Sequence, residues 1–162
     1  MSGKITDNLG RASGLSKAVS GGAGKILQVV AGTSSTEVSV TATSFTDSGL
    51  DVAITPSASS SLVFVLASFG VYQTGGYTGY ITLFRDSTDL ALNVSSAMIL
   101  SNSQDSDGRI VYGSSVQFLD SPSSTSELTY SVYAKVETGG QATKIVSSSA
   151  VNSIIVMEID GS

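Results

Sequence analysis

Residues 61–72 read SLVFVLASFGVY. Successive side chains of an extended strand point to opposite faces, so this stretch places Leu62, Phe64 and Leu66 on one side and Val63, Val65, Ala67, Phe69 and Val71 on the other. Neither side is made for water, which sets the stretch apart from the usual antiparallel strand with one solvated face. One face suits an intramolecular core. The other calls for a second sheet or another copy of the chain.

The flanking sequence reads as strands separated by polar turns. On the N-terminal side, Ile26–Gly32 is a short apolar strand. Thr36–Ala42 alternates, with Val38, Val40 and Ala42 inward, and a turn is expected at Thr46-Asp47-Ser48-Gly49. Leu50, Val52 and Ile54 continue as a strand stopped by Pro56 and the serine run after it, and the strand from Ile26 is expected to pair with this one. On the C-terminal side, Gln73–Gly79 is a glycine-rich turn and Tyr80–Asp86 a strand, so residues 61–86 are expected to form a hairpin. Leu90–Leu100 reads as a bulged strand, with a short helical turn as the alternative. Ser101–Arg109 is a turn and Ile110–Leu119 a strand. Leu128–Glu137 alternates most cleanly, with Tyr130, Val132, Ala134 and Val136 on one face. After Gly139-Gly140 come Lys144–Ser149 and the closing strand Ser153–Asp160, which is apolar on both faces like residues 61–72. Strands at this spacing argue for an all-β fold, an antiparallel β-sandwich, with a jelly roll as its natural form at this length. An interior position for the closing strand would keep it from being an exposed edge.

Composition removes most enzyme chemistry. The 162-residue chain has neither cysteine nor histidine. Disulfides, thiolate and imidazole metal ligands, and Ser-His-Asp or Cys-His catalysis are therefore all excluded. Only 13% of residues are charged, which suits short strands and many turns better than helices. No run approaches the ~20 apolar residues of a membrane-spanning helix, and the N-terminus has no apolar signal-peptide core, so no membrane association and no secretion are expected.

The net charge of −5 is unevenly placed, because Lys4, Arg11, Lys17 and Lys25 face Asp7 alone within residues 1–25, whereas the remainder is acidic in balance. This first segment, rich in glycine and small residues, carries Ile5, Leu9, Leu15 and Val19 at no sustained period, so residues 1–25 are expected to be an extended arm and residues 26–162 the folded domain. Fully extended, the arm would reach ~80 Å at ~3.3 Å per residue, enough to cross a neighbouring subunit. Nucleic acid is not expected as its partner: the basic residues are few, no aromatic is interleaved for base stacking, and the acidic body repels phosphate.

Three local patterns bear on ligands. Gly21-Gly22-Ala23-Gly24-Lys25 resembles a phosphate-binding loop, but Val19 stands where its first glycine belongs and Ile26 where its Ser or Thr belongs, so the segment is a hinge. Ser103, Asp105, Asp107 and Gly108 fall at EF-hand positions, but the first ligand is a serine and the closing position is Ser114, so an Asp-Gly turn is expected and neither metal nor other cofactor. Tyr72, Tyr77 and Tyr80 could stack on pyranose rings or simply pack across strands. A carboxylate pair for glycan hydrolysis would have to come from Asp47, Asp51, Asp86 and Asp89, and no catalytic residue is assigned.

Taken together, ITDNLGRASGLSKA near the N-terminus, GKILQVV, SFTDSGLDVAITPSASSSLVFVLASF, YITLFRD and the terminal NSIIVMEID resemble small structural proteins of tailed bacteriophages, notably of cyanobacterial and marine hosts. Such motifs occur in head decoration (cement) proteins and in tail-fibre or collar-fibre tips. The resemblance implies a homotrimeric jelly roll, similar to tumour-necrosis-factor and complement-C1q heads, located on the outer capsid surface of the virion. It also implies an arm that binds the major capsid protein, through Ile5, Leu9, Arg11, Leu15, Lys17 and Val19. Val63, Val65, Phe69, Ile155, Met157 and Ile159 are the expected trimer-interface or core positions. The alternative is a fibre adhesin whose loop tips, Tyr77, Asp105, Asp107 and Arg109, contact host-surface polysaccharide. With only an arm before the head, cement is favoured over fibre.

Overall fold

A computed structural model of the chain describes residues 24–74, 78–91, 97–102, 109–145 and 151–161. Among them there is no helix; the elements are β1 (Ile26–Ser34), β2 (Val38–Val40), β3 (Thr46–Ile54), β4 (Leu62–Thr74), β5 (Thr78–Arg85), β6 (Thr88–Asp89), β7 (Ile99–Asn102), β8 (Arg109–Asp120), β9 (Leu128–Val136), β10 (Thr143–Ile145) and β11 (Asn152–Ile159). They form two antiparallel sheets packed face to face as a β-sandwich. The first runs β1-β11-β4-β10-β2 with β8 on the other edge of β4, and the second runs β3-β9-β5-β6 with β7 also on β5.

The pairing is nested. β1 pairs with β11, β3 with β9, β4 with β8 and β5 with β7, so the first long strand meets the last and each later pair lies inside the previous one. Successive strands β3 and β4 lie in different sheets, as do β4 and β5. The central stretch forms β4, which is paired along both edges: β8 follows it from Val63 to Thr74, while β11 and β10 lie end to end along the opposite edge.

Two expected pairings are corrected. Residues 61–86 do not form a hairpin, because β4 has no free edge left for β5, which joins β9 in the other sheet. The strand from Ile26 pairs with β11 rather than with β3. β1 and β3 meet instead across the layers at Gly32, where a Cβ would fall 2.1 Å from the carbonyl oxygen of Asp51, so glycine permits the close approach.

Two local expectations also change. The turn at residues 46–49 is a β-bulge inside β3: the register with β9 shifts between Asp47 and Asp51, Gly49 takes φ 69°, and the Asp47 carboxylate accepts the Gly49 N–H at 2.9 Å. Local polarity looked like a chain reversal, but pairing with β9 carries the strand through it. Of the described residues between Leu90 and Leu100, Leu90, Ala91, Ala97 and Met98 are not strand and Ile99 and Leu100 are; residues 92–96, the middle of the expected bulged strand, lie outside the described ones. The closing strand, by contrast, does occupy an interior position, between β1 and β4.

The core lies between the sheets. Val63, Val65, Ala67, Phe69 and Val71 of β4, with Ile154 and Val156 of β11, meet Leu50, Val52 and Ile54 of β3, Ile81 and Leu83 of β5, and Tyr130, Val132 and Ala134 of β9. The odd-numbered residues of the opening stretch thus face inward. Each such valine or leucine contributes about 1.5–3 kcal/mol by leaving water.

Val65 is fully buried, and Val65→Asp would place a carboxylate there at a cost of several kcal/mol, a large share of the ~5–15 kcal/mol that holds a domain together. The variant should show no cooperative unfolding transition by circular dichroism, whereas Val65→Ala should retain one at lower temperature. A cooperative, well-folded Val65→Asp protein would refute this placement.

Candidate functional site

The residues expected at the interface or core separate onto opposite faces of the first sheet. Val63, Val65 and Phe69 point into the sandwich. Ile155, Met157 and Ile159 lie on its outer face, half-buried, alternating with the inward Ile154, Val156 and Glu158. Register aligns the outer residues into rows that are apolar except at Gln117. Val29, Met157, Phe64 and Leu119 are successive neighbours across β1, β11, β4 and β8, and Ala31, Ile155, Leu66 and Gln117 form the next row. Ile159 sits between Ile26 and Leu62. No charged side chain interrupts these rows, and Val29 and Leu119 at their ends are 56% and 52% exposed.

Two buried polar clusters hold the sandwich at its edges. Glu158, 1% exposed, enters on the inner side of β11, where its Oε1 accepts hydrogen bonds from the Ser57 N–H (2.7 Å), Ser57 Oγ (2.6 Å) and Ser61 Oγ (2.7 Å). Its Oε2 accepts from Gln28 Nε2 at 2.7 Å, and the same amide donates to the Thr55 carbonyl. Burial opposes the charge, but the hydrogen bonds from Ser57, Ser61 and Gln28 outweigh it and hold the carboxyl down at about 2. This carboxylate ties the β3–β4 connection to β1 and β11. In the second cluster, Arg85 of β5 grips both oxygens of Asp120 at 2.9 and 2.7 Å, and the Tyr130 hydroxyl donates to Asp120 Oδ2 at 2.7 Å. Burial, with Asp120 adding to it, pushes the Tyr130 phenol far above its ordinary range. For Arg85, burial acts against the charge and the hydrogen bond and charge of Asp120 more than offset it. Since Asp120 is on β8 and the other two on β5 and β9, the triad bolts the sheets together. Every oxygen of both carboxylates has a donor, which leaves them structural.

The outer face of the second sheet is aromatic. Phe84 stacks on Tyr133 with ring centroids 4.1 Å apart and meets Phe45 edge-on at 5.8 Å. Lys135 Nζ lies 4.5 Å from the Phe45 centroid and 5.1 Å from that of Tyr80. Tyr72 is on the outer face of the first sheet beneath Lys144, whose Nζ is 5.0 Å from its ring and 2.7 Å from Glu37 Oε1. Tyr72 and Tyr80 therefore belong to opposite sides of the sandwich and cannot share one platform.

The remaining expected residues fall as follows. Ile5, Leu9, Arg11, Leu15, Lys17 and Val19 of the arm lie outside the described residues, as do Tyr77, Asp105 and Asp107; Arg109 is the first residue of β8. Three of the four carboxylates considered for hydrolysis serve the backbone: Asp47 accepts from Gly49 N–H, Asp86 from Thr129 N–H, and Asp89 from Ala91 N–H and the Thr82 hydroxyl. Among the described residues no group of three or more acidic side chains could hold a metal. Sequence reasoning passed over Glu158 and the Arg85–Asp120–Tyr130 triad, although one signal was present: Glu158 shares the parity of Ile154 and Val156, which places it inside. No protein-family model and no curated protein matches the chain.

Glu158→Gln replaces an acceptor-only group by an amide that cannot accept at both ends, and should cost on the order of 1.5–3 kcal/mol near neutral pH. The folded carboxyl lies below its ordinary value of 4.5, so its contribution is complete above that value and declines as pH falls toward about 2. Denaturant unfolding across this window should therefore show the gap between the two proteins closing with acid. A gap that stayed constant would refute the assignment.

Proposed function

We propose that the chain is a structural protein of the tailed-bacteriophage virion, a homotrimeric decoration protein that binds the outer head surface. The observation that carries this reading is the apolar patch on the outer face of the first sheet, whose rows run without a charged side chain from Val29 to Leu119 and from Ala31 to Gln117 and which suits burial against further copies of the chain. Its central residues are Phe64, Leu66, Ile155 and Met157. The nested strand order supports a jelly roll, the form implied by the sequence resemblance, and that resemblance also underlies the trimer. No catalytic role is proposed.

In this reading residues 1–25, with their excess of basic charge over Asp7, are the attachment arm, spread over the major capsid protein. A specific interface buries more than ~1,000 Å², which three arms and a trimer base can exceed together. Simultaneous engagement of the three arms raises avidity without a strong single contact. Those contacts would brace neighbouring coat subunits against the pressure of packaged DNA.

Light scattering on the full chain should give a trimer mass, and Phe64→Asp or Met157→Asp should give folded monomers, since both side chains lie on the outer face. A wild-type protein monomeric at every concentration would refute the interface. Deleting residues 1–24 should leave the trimer intact and abolish binding to heads, and undiminished binding would exclude the arm. Copy number per particle separates decoration, at a level comparable with the coat protein, from the alternative fibre adhesin, present only at tail-fibre numbers.

A further inference from the structure

The two lysines resting on aromatic rings are held differently. Lys144 has the Glu37 carboxylate at 2.7 Å. Lys135 lies over Phe45 and Tyr80, half-buried, and among the described residues it has no ion-pair or hydrogen-bond acceptor. Beside it is a hollow of about 240 Å³ lined by Thr43, Tyr80, Lys135, Val136 and Glu137. Register sets this arrangement, because Tyr80 of β5 is the direct partner of Lys135 on β9, and Gly79 of Val136. Glu137 follows β9, is exposed, and is fixed at its backbone by donating N–H to the Thr78 carbonyl at 2.9 Å. Its carboxylate is not paired with Lys135.

An ammonium offers only donors and a carboxylate only acceptors. Here both line one hollow without satisfying each other, beside the hydroxyl of Thr43 and the aromatic wall of Tyr80. An anionic ligand would suit Lys135 but meet Glu137, and a cationic one would do the reverse. Sugar hydroxyls donate and accept alike, so a neutral ring with several of them serves both groups while its C–H face packs on Tyr80. The volume is below the ~300–1,000 Å³ of pockets for drug-sized ligands, which limits the occupant to about one ring. We propose that Thr43, Tyr80, Lys135 and Glu137 form a binding site for a single neutral pyranose residue of a glycan. The site lies on the second sheet, away from the apolar face of the first, and does not depend on the assembly proposed above. It is also distinct from the loop tips that the sequence singled out for polysaccharide.

The test is a titration of the isotope-labelled full chain with the methyl pyranosides of glucose, galactose, mannose and N-acetylglucosamine, followed by amide resonances, with glucuronate and glucosamine in parallel. At least one neutral pyranoside should shift the Thr43, Tyr80 and Val136 amides saturably at millimolar concentration. Lys135→Met, which keeps the apolar stem over the rings, and Glu137→Ala should each weaken that binding about tenfold or more while leaving the spectrum of the folded chain otherwise intact. The proposal is overturned if no neutral pyranoside shifts these amides, if only glucuronate or only glucosamine does, or if both variants bind like the unaltered chain.

Discussion

Everything in the sandwich is placed relative to a strand that has no free edge. β4 is hydrogen-bonded over twelve positions to β8 on one side and to β11 and β10 in succession on the other. A strand so enclosed cannot pair with its neighbours in sequence, so β3 and β5 are sent to the second sheet. The two layers then close over the odd-numbered face of β4, and the even-numbered face is left on the outside. The apolar outer surface is thus a direct consequence of how the edges of β4 are used.

Buried charge works beside this framework. Glu158 and Asp120 sit on the inner side of apolar strands, where an unpaired carboxylate would cost far more than a lost hydrogen bond. Each is surrounded by donors from other elements: Ser57, Ser61 and Gln28 around one, Arg85 and Tyr130 around the other. These contacts contribute register as much as energy. Glu158 is satisfied only when β1, β11 and the β3–β4 connection are all in place, and Asp120 only when β8 faces β5 and β9, so a slipped strand would strand a charge.

The two outer faces have different chemistry. On the first sheet, apolar side chains line up across β1, β11, β4 and β8, Asp120 and Glu158 turn inward, and Lys144 lies to one side over Tyr72. On the second sheet, aromatic rings alternate with Lys135 and with the carboxylates of Asp47 and Glu137. A surface of the first kind suits packing against like surfaces, where desolvation is the main contribution. One of the second kind, with donors and acceptors held apart on an aromatic floor, suits a small polar ligand. The assembly and the ligand site proposed above would thus use different layers of the sandwich.

Strand existence was legible because period-2 alternation is local. Leu128–Val136, the stretch after Ser61 and the closing strand are all found close to where their side-chain patterns place them. The all-β class and the two-faced character of β4 followed from the same signal, as did the loss of thiol and imidazole chemistry from composition alone. What alternation cannot convey is which strand lies alongside which, since hydrogen bonding in a sheet is backbone to backbone and carries no side-chain label. The β1–β11 pairing, the passage of β3 through its bulge at Gly49, and the separation of Tyr72 from Tyr80 were therefore decided only in three dimensions. So was the meeting of Tyr80, Lys135 and Glu137, which depends on the β5–β9 register. The sequence by itself determined that residues 61–72 would be a strand with two apolar faces; tertiary structure decided that the Val65 face is core and the Phe64 face is surface, because only the position of the second sheet distinguishes them.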